Sequence, residues 1–152
     1  MPYLTSAPID ASVLSRSVAS AARGGLVSFE GRVRDHHASR RVERLEYTAY
    51  GPMAEAACAG IVGEAERRWP VAVALAHRIG ELAVGDVAVA VIVAAAHRDP
   101  AFEACRYVID QVKARVPIWK REYYADGSIG WVDPTAPAGM IASVDPSAGP
   151  AR

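Results

Sequence analysis

The chain has 152 residues, 51% of them hydrophobic and 22% charged, with 17 basic and 17 acidic side chains. That is the size and mixture of one globular domain with a real core, which excludes collagen-like, coiled-coil and wholly disordered chains. A net charge of zero argues against a general nucleic-acid coat or a polybasic membrane binder, so any functional charge must be gathered locally.

Met1-Pro2-Tyr3-Leu4-Thr5-Ser6 lacks the basic and apolar regions of a secretory signal. The longest apolar run, Val87 to Ala96, is ten residues, and a bilayer span needs about 20. A cytoplasmic chain with no membrane contact is expected. Asp10 is placed to cap a helix over Ala11–Ala22, with Val13, Leu14 and Val18 as its stripe and Gly24-Gly25 as its stop. Gly25–Val33 alternates loosely and reads as a strand, Arg34 to Arg41 as a polar loop, and Val42, Leu45, Tyr47 and Tyr50 as a second strand. Pro52 suits the first turn of a helix that runs to Trp69 and stops at Pro70.

Val71–Ile79 and Asp86–Ala96 read as strands joined by a Gly80…Gly85 turn. The second is nearly all Val, Ile and Ala, as a central strand covered on both faces would be. Asp99-Pro100 predicts a helix start by cap and proline, and Pro117 its end. Ile118–Tyr124 and Ile129–Val132 form a last hairpin around Ala125-Asp126-Gly127-Ser128. Helices alternating with strand pairs predict a single α+β domain over residues 1–132 with mainly antiparallel or mixed pairing. From Asp133 to Arg152, Pro, Gly and Ala dominate, which predicts a tail.

The chemistry concentrates in few places. Lys113 and Lys120 are the only lysines, eight residues from end to end, in a chain otherwise charged with arginine. Lysine, unlike arginine, can be driven neutral and act as a base or nucleophile. Lys113 flanks the apolar stripe of its helix, and it could equally be a C-terminal lysine complementing the helix dipole. His97-Arg98 lies between the most apolar strand and a helix start, where anions bind; either residue could instead satisfy the strand end. Arg32, Val33 and Arg34 close the first strand, and Lys120-Arg121-Glu122 opens the last hairpin. Cys58 and Cys105 read as buried hydrophobes. His36-His37 resembles a metal pair only superficially, because neighbours in an extended chain point opposite ways; no metal site is expected. No P-loop, Gly-x-Ser-x-Gly, Gly-x-Gly-x-x-Gly or Cys-x-x-Cys motif is present. The residues alone point to a pocket for a small, strongly anionic ligand.

Val27-Ser-Phe-Glu-Gly-Arg-Val-Arg34, Arg41-Val-Glu-Arg-Leu-Glu-Tyr47, Tyr50-Gly-Pro-Met53, His77-Arg-Ile-Gly-Glu-Leu82, His97-Arg98, Ala101-Phe-Glu-Ala-Cys-Arg-Tyr107 and Val116-Pro-Ile-Trp-Lys-Arg-Glu122 resemble the large, catalytic subunit family of molybdopterin synthase, in order and spacing. The resemblance implies an α/β-hammerhead type fold with an additional antiparallel sheet. It implies a sulfurtransferase of molybdenum cofactor biosynthesis, which converts cyclic pyranopterin monophosphate to molybdopterin by forming a dithiolene. The sulfur would come from the C-terminal Gly-Gly thiocarboxylate of a small ubiquitin-like subunit, bound to a homodimer to make a heterotetramer. No cofactor, metal or nucleic acid is implied. The family's catalytic lysines fall on Lys113 and Lys120, and its substrate-binding positions on Arg32, Val33, Arg34, His97, Arg98, Lys113, Lys120, Arg121 and Glu122. Ala94-Ala95-Ala96 stands where relatives often carry a hydroxyl. Two other functions compete: a non-catalytic binder of the ubiquitin-like protein, and a single-stranded nucleic-acid groove built on Phe29, Tyr47, Trp119 and the arginines.

Overall fold

The computed structural model describes residues 2–132. The expected tail, 133–152, lies outside the described residues. Nine strands and three helices follow one another there as β1 (Leu4–Thr5), α1 (Ala11–Val18), β2 (Gly25–Arg32), β3 (His36–His37), β4 (Arg40–Ala49), α2 (Gly51–Arg68), β5 (Val71–Arg78), β6 (Gly80–Ala83), β7 (Val87–Ala95), α3 (Arg98–Arg115), β8 (Ile118–Tyr124) and β9 (Ile129–Val132). The fold is α+β, with two sheets.

The first sheet has the order β1-β5-β7-β2. Only the β1–β5 pairing is parallel. Its centre is β7, whose residues alternate between two cores. Val89, Val91, Val93 and Ala95 face α2 and α3, whereas Ala90, Ile92 and Ala94 face Leu14 and Val18 of α1. A strand apolar on both faces therefore has a helical layer on each. The second sheet runs β3-β4-β8-β9, with β6 added to β4. Gly80, at φ +95°, turns the chain from β5 in the first sheet to β6 in the second, a conformation glycine adopts freely. The two sheets thereby share one continuous length of chain, and their common core holds Leu45, Tyr47 and Leu82 beside the residues of α2 and α3.

Four expectations shift. The first helix stops at Val18, because Ala19 is already extended and Arg23 Nη1 donates to the Val18 carbonyl at 2.9 Å; Ala19 to Ala22 are exposed and have nothing to bury. The Gly80…Gly85 segment is a strand for four residues, with Leu82 wholly buried and paired with Leu45. The loop after β2 contains a tight hairpin, β3 to β4, turned by Ala38 and Ser39, both at positive φ. The last helix starts at Arg98 with His97 as its N-cap residue, and Asp99 lies inside the first turn. Pro100 is still tolerated there, since its missing N–H would lack a helical partner. Among the described residues no helix is long and apolar enough to cross a membrane.

Candidate functional site

Strand β8 carries the lysine-rich end of the sequence into the core. Successive side chains alternate faces, so Lys120, Glu122 and Tyr124 share one side and Arg121 and Tyr123 the other. Register sets Lys120 opposite Tyr47 and Glu122 opposite Leu45. This is the inner face: Leu45, Tyr47, Glu122 and Tyr124 are all buried. Glu122 is only 2% exposed. Its carboxylate lies 3.2 Å from Lys120 Nζ, accepts from His37 Nδ1 at 2.9 Å and accepts from the Tyr124 hydroxyl at 2.9 Å. Burial pushes its pKa up, but the Lys120 charge and the three donors outweigh that and hold it below the usual carboxylate range.

Arg34 follows buried Val33 just beyond β2. Arg32, Val33, Arg34, His36, Tyr47, Lys120 and Glu122 line a small cavity of about 30 Å³. That space suits a water molecule, so a larger ligand would rest over it and not inside it. Lys113, in the last turn of α3, completes the group. Its pKa is lowered by desolvation, then by the charge of Lys120, then by that of Arg34. Behind it, burial holds the His77 imidazole down to about 4, against the pull of its hydrogen bond with the Arg78 carbonyl; Lys113 lowers it further. The His77 ring stands edge-on to Tyr47 with centroids 4.9 Å apart. The Tyr47 phenol is pushed up to about 12 by burial and by Glu122, with Arg34 opposing. Three cations thus converge over two neutral rings, and the single carboxylate among them is already engaged. Such a site favours an anion and makes one lysine proton easy to release.

The other expected residues lie elsewhere. His97 and Arg98 are exposed at the opposite end of α3 from Lys113. Fifteen residues of helix separate Arg98 from Lys113, roughly 22 Å at 1.5 Å per residue. Arg121 points to the outer face, where it meets Glu46 at 2.9 Å and lies 5.1 Å from the Trp131 ring. Arg32 pairs with Glu30 at 2.8 Å beside the cavity. His36 is exposed on Asp35 and His37 is buried on Glu122, as opposite directions along β3 dictate. Among the described residues no three His, Cys, Asp or Glu side chains gather for a metal. Cys58 and Cys105 are buried, and desolvation pushes both thiols up to about 11, so neither is a ready thiolate. Tyr47, His77, His37 and Tyr124 also belong to the site. Period-two counting along β8 could have found Tyr124 and set Arg121 apart. Nothing in the sequence marks His37, whose burial depends on a hairpin of two positive-φ residues.

The family model described as MoaE protein matches residues 4–115. A molybdopterin synthase catalytic subunit from Pyrococcus abyssi is 48% identical over 117 residues, covering 76% of this chain and 78% of that protein. Molybdopterin synthase catalytic subunit 1 from Mycobacterium tuberculosis is 43% identical over 134 residues, covering 86% and 90%. The crystal structure of molybdopterin synthase from Staphylococcus aureus superposes with a TM-score of 0.82 at 36% identity, covering 86% of this chain and 96% of that one.

Proposed function

The chain belongs to the MoaE family, and from that premise we propose that it is the catalytic subunit of a molybdopterin synthase, with residues 1–132 as its catalytic domain. It moves sulfur from the C-terminal thiocarboxylate of a small ubiquitin-like subunit to cyclic pyranopterin monophosphate, forming the dithiolene. The observation that carries this reading is the convergence of Arg34, Lys113 and Lys120, with the Lys113 pKa lowered. A phosphate-bearing pterin and a thiocarboxylate repel each other. Fixed cations lower the penalty of holding both and orient them for attack. Lys113, with its proton loosened by desolvation and two neighbouring charges, can pass a proton or meet the acyl carbon, which a guanidinium cannot. Buried, unbridged cysteines suit a reducing cytoplasm.

His97 and Arg98 enter this reading through a second copy. Strand β2 is an edge of its sheet, with Leu26 47% and Phe29 39% exposed, an arrangement that invites pairing. A Cβ on Gly25, at its start, would lie 3.1 Å from the Arg98 nitrogen, so that end of β2 abuts the start of α3. Its other end runs into Val33 and Arg34. A two-fold antiparallel pairing of β2 with itself therefore brings the second copy's His97–Arg98 toward this chain's Arg34. The homodimer then carries two composite sites, with one small subunit at each. Reconstitution tests the function: purified chain, thiocarboxylated small subunit and precursor should yield dithiolene product. Tight binding of the small subunit without turnover would contradict it.

A further inference from the structure

Lys120 ends in a mobile, four-carbon stem, yet its ammonium is held at 3.2 Å by a carboxylate that cannot itself swing. Glu122 Oε2 accepts from both His37 Nδ1 and the Tyr124 hydroxyl at 2.9 Å, and His37 also reaches Oε1 at 3.1 Å. An ionised carboxylate only accepts, so Nδ1 carries the ring proton. His37 is held in turn. Its strand pairs with β4 at His37↔Arg40, the Val42 N–H donates to the Asp35 carbonyl at 2.8 Å, and the Arg40 guanidinium stacks 3.7 Å from the Tyr124 ring centroid. The β3–β4 hairpin thus grips Glu122 and Tyr124 together.

We propose that His37 is a positioning residue for sulfur transfer: through Glu122 it fixes the ammonium of Lys120 so that its two remaining N–H donors face the substrate. This rests on the sulfurtransferase reading for its kinetic consequence, but not for its structural one. The charge balance supports it. A bare carboxylate inside an anion site would cancel a needed cation. The two further donors on Glu122 draw off part of its charge and leave Lys120 positive toward the open side. Without His37 the carboxylate is freer to turn, and Lys120 follows it. A misplacement of about 1 Å can lower a rate by about 100-fold.

Lysine supplies the test, because the chain contains only two, Lys113 and Lys120. Protein labelled with ¹³Cε-lysine gives two sets of signals, and a held lysine shows two inequivalent Hε protons. The full chain should show such a pair for Lys120, collapsing to one averaged signal in His37→Ala and retained in His37→Asn, which keeps a donor. With thiocarboxylated partner and precursor, His37→Ala should lose up to about 100-fold in kcat with KM unchanged, and His37→Asn should recover most of it. Tyr124→Phe, which removes the other donor and leaves the hairpin intact, should show a weaker version of both effects. Averaged Hε protons in the parent chain would overturn the proposal. So would a His37→Ala protein that loses activity while its Lys120 signals stay split, or one whose KM rises alone. If the parent makes no product, the sulfurtransferase reading fails, and the lysine signals still decide whether His37 positions Lys120.

Discussion

Replacing Glu122 by Gln removes one charge from a closed space and changes almost no volume. The carboxylate accepts from His37 and Tyr124 and pairs with Lys120. The amide nitrogen of Gln must take one oxygen's place and face a donor. Tyr124 can reverse its hydroxyl and accept, but neither Lys120 nor protonated Nδ1 of His37 can. About two charge-assisted bonds, each worth ~1.5–3 kcal/mol, become at best neutral ones, for a net loss of about 3 kcal/mol. At about 2–4 °C per kcal/mol for a chain of this size, Tm should fall by roughly 6–12 °C. The Glu122 pKa is lowered in the folded chain, so its contribution is complete above the ordinary glutamate pKa and is lost as pH falls through the lower folded value. The difference between parent and Glu122→Gln should be full at pH 7 and shrink below about pH 4. Urea unfolding at fixed protein concentration, at both pH values, measures it. Equal midpoints at pH 7, or a gap that does not change with pH, would refute the assignment of Glu122 as an ionised, buried anchor.

Other consequences follow from the same geometry. Arg121→Ala should keep sulfur transfer near the parent rate and cost about 1–3 kcal/mol of stability, since it removes one partner of the half-buried Arg121–Glu46 pair on the outer face; loss of turnover at intact Tm would place Arg121 in the chemistry. His77 should stay neutral until near pH 4 in a histidine NMR titration. Its lowered pKa makes stability fall as pH drops from the ordinary histidine range toward that value, and a midpoint near 6.5 would show an exposed ring. Cys58 and Cys105 should resist a thiol reagent in the folded protein and react on unfolding; rapid labelling would contradict their burial. If the site is composite, mixing Lys113→Ala with Arg98→Ala chains should restore activity, because about half of randomly mixed dimers carry one intact site. No recovery would put His97–Arg98 outside the pocket.

The central strand and the helices with strong stripes were legible because periodicity reports burial directly. Val87 to Ala96 is apolar on both faces and is sandwiched by helical layers. Strand β6 was not legible: Gly80 and Gly85 look like a turn, and Leu82 is the single buried clue in a four-residue strand. The lysine pair stood out from composition alone, and the helix pattern placed Lys113 at the rim where its pKa is lowered. Distance along a helix is also readable. The separation of His97–Arg98 from Lys113 follows from a rise of about 1.5 Å per helical residue, yet residue type had grouped them. His37 lay beyond sequence reasoning because its role comes from long-range packing: its partner Glu122 is 85 residues away.

Lys113 tests the account most directly. Lys113→Ala and Lys113→Arg should both dimerise and bind the thiocarboxylated small subunit, since the side chain stands at a helix end outside the hydrophobic core. Product formation at saturating precursor should be nearly abolished in both, because guanidinium keeps the charge but holds its proton. A Lys113→Arg protein that makes dithiolene at close to the parent rate would contradict a chemical role for Lys113 and reduce the cluster to an anion-binding site.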